Sequence, residues 1–135
     1  MGNSPNVVQL IAVKLLTKGR EKLERHKQKW AGIKRETEEW LNRKNLEFFS
    51  NKVGVTYWVK LPIKNTYKWT NEHTIPHYRL APVPGAFFLF KSNYELVRSN
   101  MIRLGLGAIN PDKPNLEKTF GFLEEAIETH SRTRF

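Results

Sequence analysis

The chain has 135 residues and a mass of 15.9 kDa, a size typical of one domain, so we expect residues 1–135 to form a single domain. It contains no cysteine, which excludes disulfides, thiolate catalysis and zinc sites built on cysteine. Its 23 Lys and Arg residues outnumber 13 Asp and Glu residues, and the resulting net charge of +10 directs attention first to a nucleic acid or another anionic partner.

The longest apolar stretch runs from Val7 to Leu16 and contains Gln9 and Lys14. It is far shorter than a membrane span, and it lacks the positive leader and the small-residue cleavage site of a signal peptide. We therefore expect a cytoplasmic protein that does not associate with a membrane.

Two helices are predicted near the start of the chain. Apolar residues at spacings of four predict a helix over residues 7–18, which Gly19 interrupts or ends. Residues 20–46 predict a second, longer helix that is mostly charged. Its narrow apolar stripe consists of Leu23, His26, Trp30, Ile33, Thr37 and Trp40. Because this stripe contains polar residues and lasts only about three heptads, packing on a sheet is favoured over a coiled coil.

The middle of the chain changes to a period of two. In residues 53–61 the side chains of Tyr57 and Val59 point one way and that of Trp58 points the other, which predicts a strand closed by Pro62. Two further extended segments are predicted at residues 80–83 and 101–106.

The remaining elements are helices. A short helix is predicted from Thr66, a candidate cap, to His73, and a closing helix from about Pro114 to Thr129. Helices at both ends with short strands between them predict an α+β fold of two layers, in which the helices pack on one face of a small sheet.

Positive charge is concentrated in residues 14–44, which hold 11 Lys or Arg and 5 Glu. A basic helix could contact phosphates, so a small basic nucleic-acid-binding protein is an alternative function. A solvated helix face with ion pairs four residues apart explains the same pattern. Trp30 and Trp40 lie on the apolar stripe, where core packing is expected, and no recognition motif accompanies the charge. A nucleic acid is therefore not the favoured partner.

Motifs for catalysis are absent from the sequence. His73 and His77 have the spacing of a helical metal pair, but Pro76 between them argues against a continuous helix, and no Glu follows His73. There is no nucleophile elbow, phosphate-binding loop or dinucleotide fingerprint. The residues themselves predict neither a metal site nor a catalytic residue.

Arg103 is the candidate binding residue. In the strand Met101 to Leu104, a period of two places Arg103 on the face opposite Ile102 and Leu104. An arginine rooted on a strand offers a planar guanidinium in a fixed place, which suits a carboxylate ligand. An arginine on the solvent face of an edge strand is the alternative interpretation.

Three segments of the C-terminal half carry a family resemblance. The run 81–88 (APVPGAFF) is followed about 14 residues later by 102–106 (IRLGL) and then by a helix rich in Leu and Glu. This arrangement resembles the end of a class I/II aminotransferase, a pyridoxal-phosphate-dependent enzyme of fold type I, in the aspartate aminotransferase-like branch. The resemblance covers roughly residues 4–130, and its C-terminal third is the specific part.

The resemblance implies a transaminase, which moves an amino group from an amino acid to pyridoxal phosphate and then to a 2-oxo acid. In that family the arginine of the last strand binds the α-carboxylate of the substrate, a role that corresponds to Arg103 here. Gly85 and Phe88 would lie near the mouth of the substrate site.

One departure from the family pattern limits this expectation. The sequence contains no Ser-x-x-Lys-type segment for the cofactor lysine and no segment for the aspartate that pairs with the pyridine nitrogen. The resemblance is therefore to the C-terminal small domain alone, as in a truncated product, one half of a split enzyme or a fragment. We expect it to be inactive by itself and to bind no pyridoxal phosphate by itself. Its partner would be a complementary large domain or, through residues 7–18, a second copy in a dimer.

Overall fold

A computed structural model describes residues 6–51, 54–89, 93–106 and 113–132 of the chain. Contacts along the chain group into two units, Met1–Arg35 and Glu36–Phe135. The boundary between the two units falls inside a long helix and not at the end of a helix or strand. The expectation of a single domain stays a prediction.

The first unit consists of helix α1 (Asn6–Lys18) and the first part of helix α2 (Arg20–Arg43). The predicted break at Gly19 is confirmed, and a Cβ atom on Gly19 would collide with the carbonyl oxygen of Leu15. None of the residues of α1 is buried, although most of them are apolar. Such a helix normally needs a covering surface.

Helix α2 is shorter than the predicted range of 20–46. It ends at Arg43 because Asn45 takes a left-handed conformation with φ of 56°. The N–H of Leu46 donates to the carbonyl of Leu41 at 3.0 Å and that of Asn45 to Asn42 at 3.0 Å, which is a Schellman motif. Asn is the second most common residue at this left-handed position, so the sequence did contain this stop signal.

The second unit is built on a four-stranded antiparallel sheet of order β1-β2-β4-β3. Its strands are β1 (Phe48–Ser50), β2 (Thr56–Lys60), β3 (Val83–Pro84) and β4 (Met101–Gly105). The predicted strands at 53–61 and 101–106 are confirmed in their central residues, while Val53 lies outside the described residues. The sequence did not predict β1, which is only three residues long and depends on its pairing with β2.

Between β2 and β3, residues 66–78 form one continuous helical stretch. It consists of α3 (Thr66–Lys68), a π-helical turn (Trp69–Thr74) and α4 (Ile75–Tyr78). The expectation that Thr66 caps this helix is wrong, because the side-chain oxygen of Asn65 accepts the N–H of Lys68 at 3.0 Å. The expectation that Pro76 interrupts the helix is also wrong, since Pro76 lies in the first turn of α4.

Helices cover one face of the sheet, which confirms the α+β fold class. The Tyr57 hydroxyl on β2 donates to Glu38 of α2 at 2.9 Å. Trp40 of α2 stacks on Phe120 of the closing helix α5 (Lys113–Arg132) at 4.8 Å between ring centroids. Buried residues on these elements form the core: Trp40, Leu41, Tyr57, Val59, Trp69, Ile102, Leu116, Phe120, Leu123 and Ala126.

Among the described residues, no helix is both long enough and apolar enough to cross a membrane.

Candidate functional site

Arg103 lies in the middle of β4, and its side chain is exposed while that of the preceding Ile102 is buried. The prediction that it faces away from Ile102 is therefore confirmed. Arg103 pairs with Trp58 on β2 and with Val83 on β3. Side chains directly opposite each other across a sheet lie within contact distance. Arg103 is thus flanked on both neighbouring strands by half-buried apolar residues.

Phe88 completes the surroundings of Arg103. Its ring centroid lies 5.5 Å from the guanidinium carbon and 4.7 Å from the Trp58 ring, which it meets edge to face. Both geometries are favourable, because the negative face of an aromatic ring attracts a cation and a ring edge. Phe88 is 44% exposed, so it borders the guanidinium without burying it.

Gly85 controls how Phe88 reaches this position. It begins the 3₁₀ turn Gly85–Phe88 and is buried. A Cβ atom on Gly85 would lie 2.5 Å from the Ser99 hydroxyl oxygen and 2.8 Å from the Met101 carbonyl oxygen. Only glycine lets the turn approach the start of β4 so closely. Gly85 is therefore buried against the start of β4, and Phe88 lies at the surface. Their place at a substrate mouth stays a prediction.

We call this surface the Arg103 face and define it by Phe49, Trp58, Val83, Phe88 and Arg103. Phe49 extends it to the outer strand, where it pairs with Trp58 and is 59% exposed. Sequence reasoning did not assign Trp58 or Phe49 to the site. The alternation that buries Tyr57 did place Trp58 on the opposite side of the sheet, but its proximity to Arg103 required the strand register.

The charge on the Arg103 face is unbalanced. Among the residues that the structure describes, no carboxylate lies within ion-pair distance of Arg103. Lys60, on the same face of β2 as Trp58, is paired with Glu47 at 2.8 Å. Within the described part of the chain, the face thus presents one guanidinium that has no carboxylate partner and that borders the Phe88 ring.

The described residues do not fit a covalently bound pyridoxal phosphate. A Schiff-base lysine needs a shielded pocket that lowers its pKa. Every lysine whose side chain is described is exposed, apart from Lys34, which is half-buried. None of these described lysines lies in such a pocket.

Three histidines gather away from the Arg103 face. The His73 ring lies 5.5 Å from that of His77 and 6.3 Å from that of His130 on α5. Burial, with a smaller contribution from His73, lowers the pKa of His130 below its usual value. Within the described ranges, no group of three or more His, Asp or Glu side chains could hold a metal ion.

Two cavities lie apart from Arg103. One of about 450 Å³ is lined by the segment Leu61 to Lys64 with Arg98 and Asn100. Another of about 580 Å³ is lined mainly by residues 78–82 and by α5. Neither is lined by Arg103, Trp58 or Phe88, although the second is also lined by Leu104 and Gly105, which follow Arg103 on β4.

Comparison of the chain with models of protein families gave no match, and comparison with curated proteins gave none.

Proposed function

We propose that this chain serves as the C-terminal small domain of an aspartate aminotransferase-like transaminase, which transfers an amino group between an amino acid and a 2-oxo acid. Its contribution is Arg103, which binds the substrate carboxylate. One observation carries the proposal: Arg103 is exposed on a central strand, lacks a carboxylate partner among the described residues, and is bordered by Trp58 and Phe88.

Carboxylate binding follows from the way Arg103 is held. Its backbone is fixed between β2 and β3, and the Phe88 ring restricts the guanidinium, so little side-chain freedom is left to lose on binding. A planar guanidinium can donate two parallel hydrogen bonds to one carboxylate. The aromatic neighbours exclude water from part of its surface, which strengthens the attraction.

An open face needs a second surface to enclose a substrate. The proposed partner is a complementary large domain that carries the cofactor lysine and closes over Arg103, since closure excludes water from the reaction. By itself the chain would bind carboxylates weakly, hold no pyridoxal phosphate and show no transaminase activity. Its proposed compartment is the cytoplasm.

The test is titration of the chain with pyruvate, followed by NMR signals of the arginine side chains. We expect the Arg103 signal to shift and to saturate at roughly millimolar pyruvate, because an exposed ion pair is weak. The variant Arg103→Gln should abolish saturable binding. Arg98→Gln is the matched control, since Arg98 is also exposed and lies just before β4. Equal losses in both variants would show only nonspecific attraction of an anion and would contradict the proposal.

A basic nucleic-acid-binding protein is the second candidate function. It is supported by the exposed cations Lys22, Arg25, Lys27 and Lys29 on α2. Such binding is driven by release of counterions, so its affinity falls steeply with salt. Binding of DNA or RNA that survives physiological salt would favour this function over the aminotransferase proposal.

A further inference from the structure

We infer that the Arg103 face selects carboxylates with a single negative charge and an aromatic body over dicarboxylates and short aliphatic acids. This rests on the proposed function, because it takes Arg103 as the carboxylate-binding residue and names the class of substrate that the face prefers.

The first step is the position of the rings around the guanidinium. Trp58 lies directly across the sheet from Arg103, and the Phe88 ring contacts both of them. A carboxylate bound in the plane of the guanidinium would leave the rest of its molecule beside these two rings. Aromatic rings pack edge to face or offset against each other at centroid distances of about 4.5–7 Å, so an aryl group is the body that fits best.

The second step is the available space. A Cβ atom added to Gly105, which lies two residues beyond Arg103 on the same face of β4, would meet nothing within 4 Å. Two residues along a strand span about 6.6 Å, roughly the length of a phenyl ring. The surface next to Arg103 can therefore accommodate a ring lying along β4 and against Trp58.

The third step concerns Lys60, a described cation on the same side of β2 as Trp58. A dicarboxylate needs two cationic groups, and the ammonium of Lys60 is already paired with Glu47. A second carboxylate next to Lys60 would have to break that pair or remain beside the apolar rings, where an unpaired charge is unfavourable.

The experiment compares three probes on the full chain: propionate, phenylpropionate and succinate. We expect phenylpropionate to bind about tenfold more tightly than propionate and succinate to gain nothing, with NMR shifts at Arg103 and at the Trp58 indole N–H. The variants Trp58→Leu and Phe88→Leu should remove the preference for phenylpropionate, and they should weaken the binding of propionate much less than that of phenylpropionate, with Arg103 still responding. Phe87→Leu is the matched control, because Phe87 is 47% exposed but contacts Tyr67 and Tyr94 instead.

Each of the other outcomes would contradict either this inference or the proposed function. Equal affinities for propionate and phenylpropionate, with Arg103 responding, would contradict the aromatic preference and leave the proposed function standing. The absence of any response at Arg103 would contradict both. Displacement of phenylpropionate by oligothymidylate at physiological salt would overturn the inference in favour of a single-stranded nucleic acid. If the Trp58→Leu variant fails to fold, the Phe88→Leu variant alone tests the aromatic preference. Phe88 is partly exposed at the end of a turn, so its substitution should not prevent folding.

Discussion

Gly85 matters most for the geometry around Arg103, because it has no side chain. The turn that it begins carries Phe88, and the turn can reach β4 only because position 85 has no Cβ atom. The contacts that forbid a Cβ come from Ser99 and Met101, which are 14 and 16 residues away in the chain. The closeness of this turn to β4 depends on the tertiary structure, since no local pattern around Gly85 predicts contact with Ser99 or Met101.

The variant Gly85→Ala should destabilise the protein by about 1–3 kcal/mol, because the new methyl group overlaps backbone as well as side-chain atoms. Urea unfolding followed by Trp fluorescence measures this change. The matched control is Gly121→Ala in α5, where a Cβ would meet nothing within 4 Å and the residue is exposed. That variant should gain about 0.5–1 kcal/mol, since alanine favours a helix interior. A neutral Gly85→Ala would contradict the close packing of the turn.

For Tyr57, the sequence predicted the direction of the side chain, and the structure added its hydrogen-bond partner. Its inward direction followed from the period of β2, whereas its hydrogen bond to Glu38 depends on where α2 crosses the sheet. Burial, followed by the hydrogen bond to Glu38, raises the pKa of the Tyr57 hydroxyl above its usual value. The folded protein therefore keeps this proton, and with it the hydrogen-bond donor, to a higher pH than an ordinary tyrosine would.

Among the elements, the π-helical turn Trp69–Thr74 is one that the sequence pattern did not distinguish from an α-helix. A wider turn leaves the local pattern of apolar residues close to that of an α-helix, and Pro76 suggested a stop instead. The wide turn carries Trp69, whose indole N–H donates to the Ala126 carbonyl of α5 at 3.3 Å. It also brings His73 next to His130. Packing against α5 thus decides this conformation.

Contact between the π-helical turn and α5 should weaken in acid. The lowered pKa of His130 means that the unfolded chain binds a proton more readily than the folded one does. The stabilising contribution of neutral His130 is thus present above its usual pKa of about 6.5 and is lost as the pH falls.

The free energy of unfolding should therefore decrease between about pH 7.5 and 5, and His130→Gln should flatten that decrease. Urea midpoints at both pH values measure it. His26→Gln is the control, because His26 is exposed on α2 and its loss should leave the slope unchanged. An unchanged slope in His130→Gln would show that another group carries the acid sensitivity.

For the whole molecule, helix α1 is notable for its exposed apolar side chains. Its large side chains are more than half exposed: Val7, Val8, Leu10, Ile11, Val13, Leu15 and Leu16. Apolar side chains surround most of the helix, so one flat contact cannot cover them all. An exposed patch of this kind typically marks an interaction surface.

We expect the chain to form dimers through α1 when no large domain is present. The double variant Ile11→Lys with Leu15→Lys should be monomeric, because each lysine places a charge in the apolar contact while keeping helix propensity. Gln9→Lys is the control, since it adds a charge at a position that is already polar. Sedimentation equilibrium measures the mass, and a native chain that is monomeric at about 100 μM, well above the affinity of a standard-sized interface, would contradict the expectation.

The sequence by itself determined the elements with a clear period and the side of the sheet on which Arg103 lies. Helices α1, α2 and α5 and the central residues of β2 and β4 follow from spacings of three to four or of two, which are local properties of the chain. The tertiary structure alone decided strand β1, the π-helical turn, and the meeting of Trp58, Phe88 and Arg103. These features depend on strand register and on burial against residues that are distant in the chain, and no local sequence pattern determines which distant residues pair.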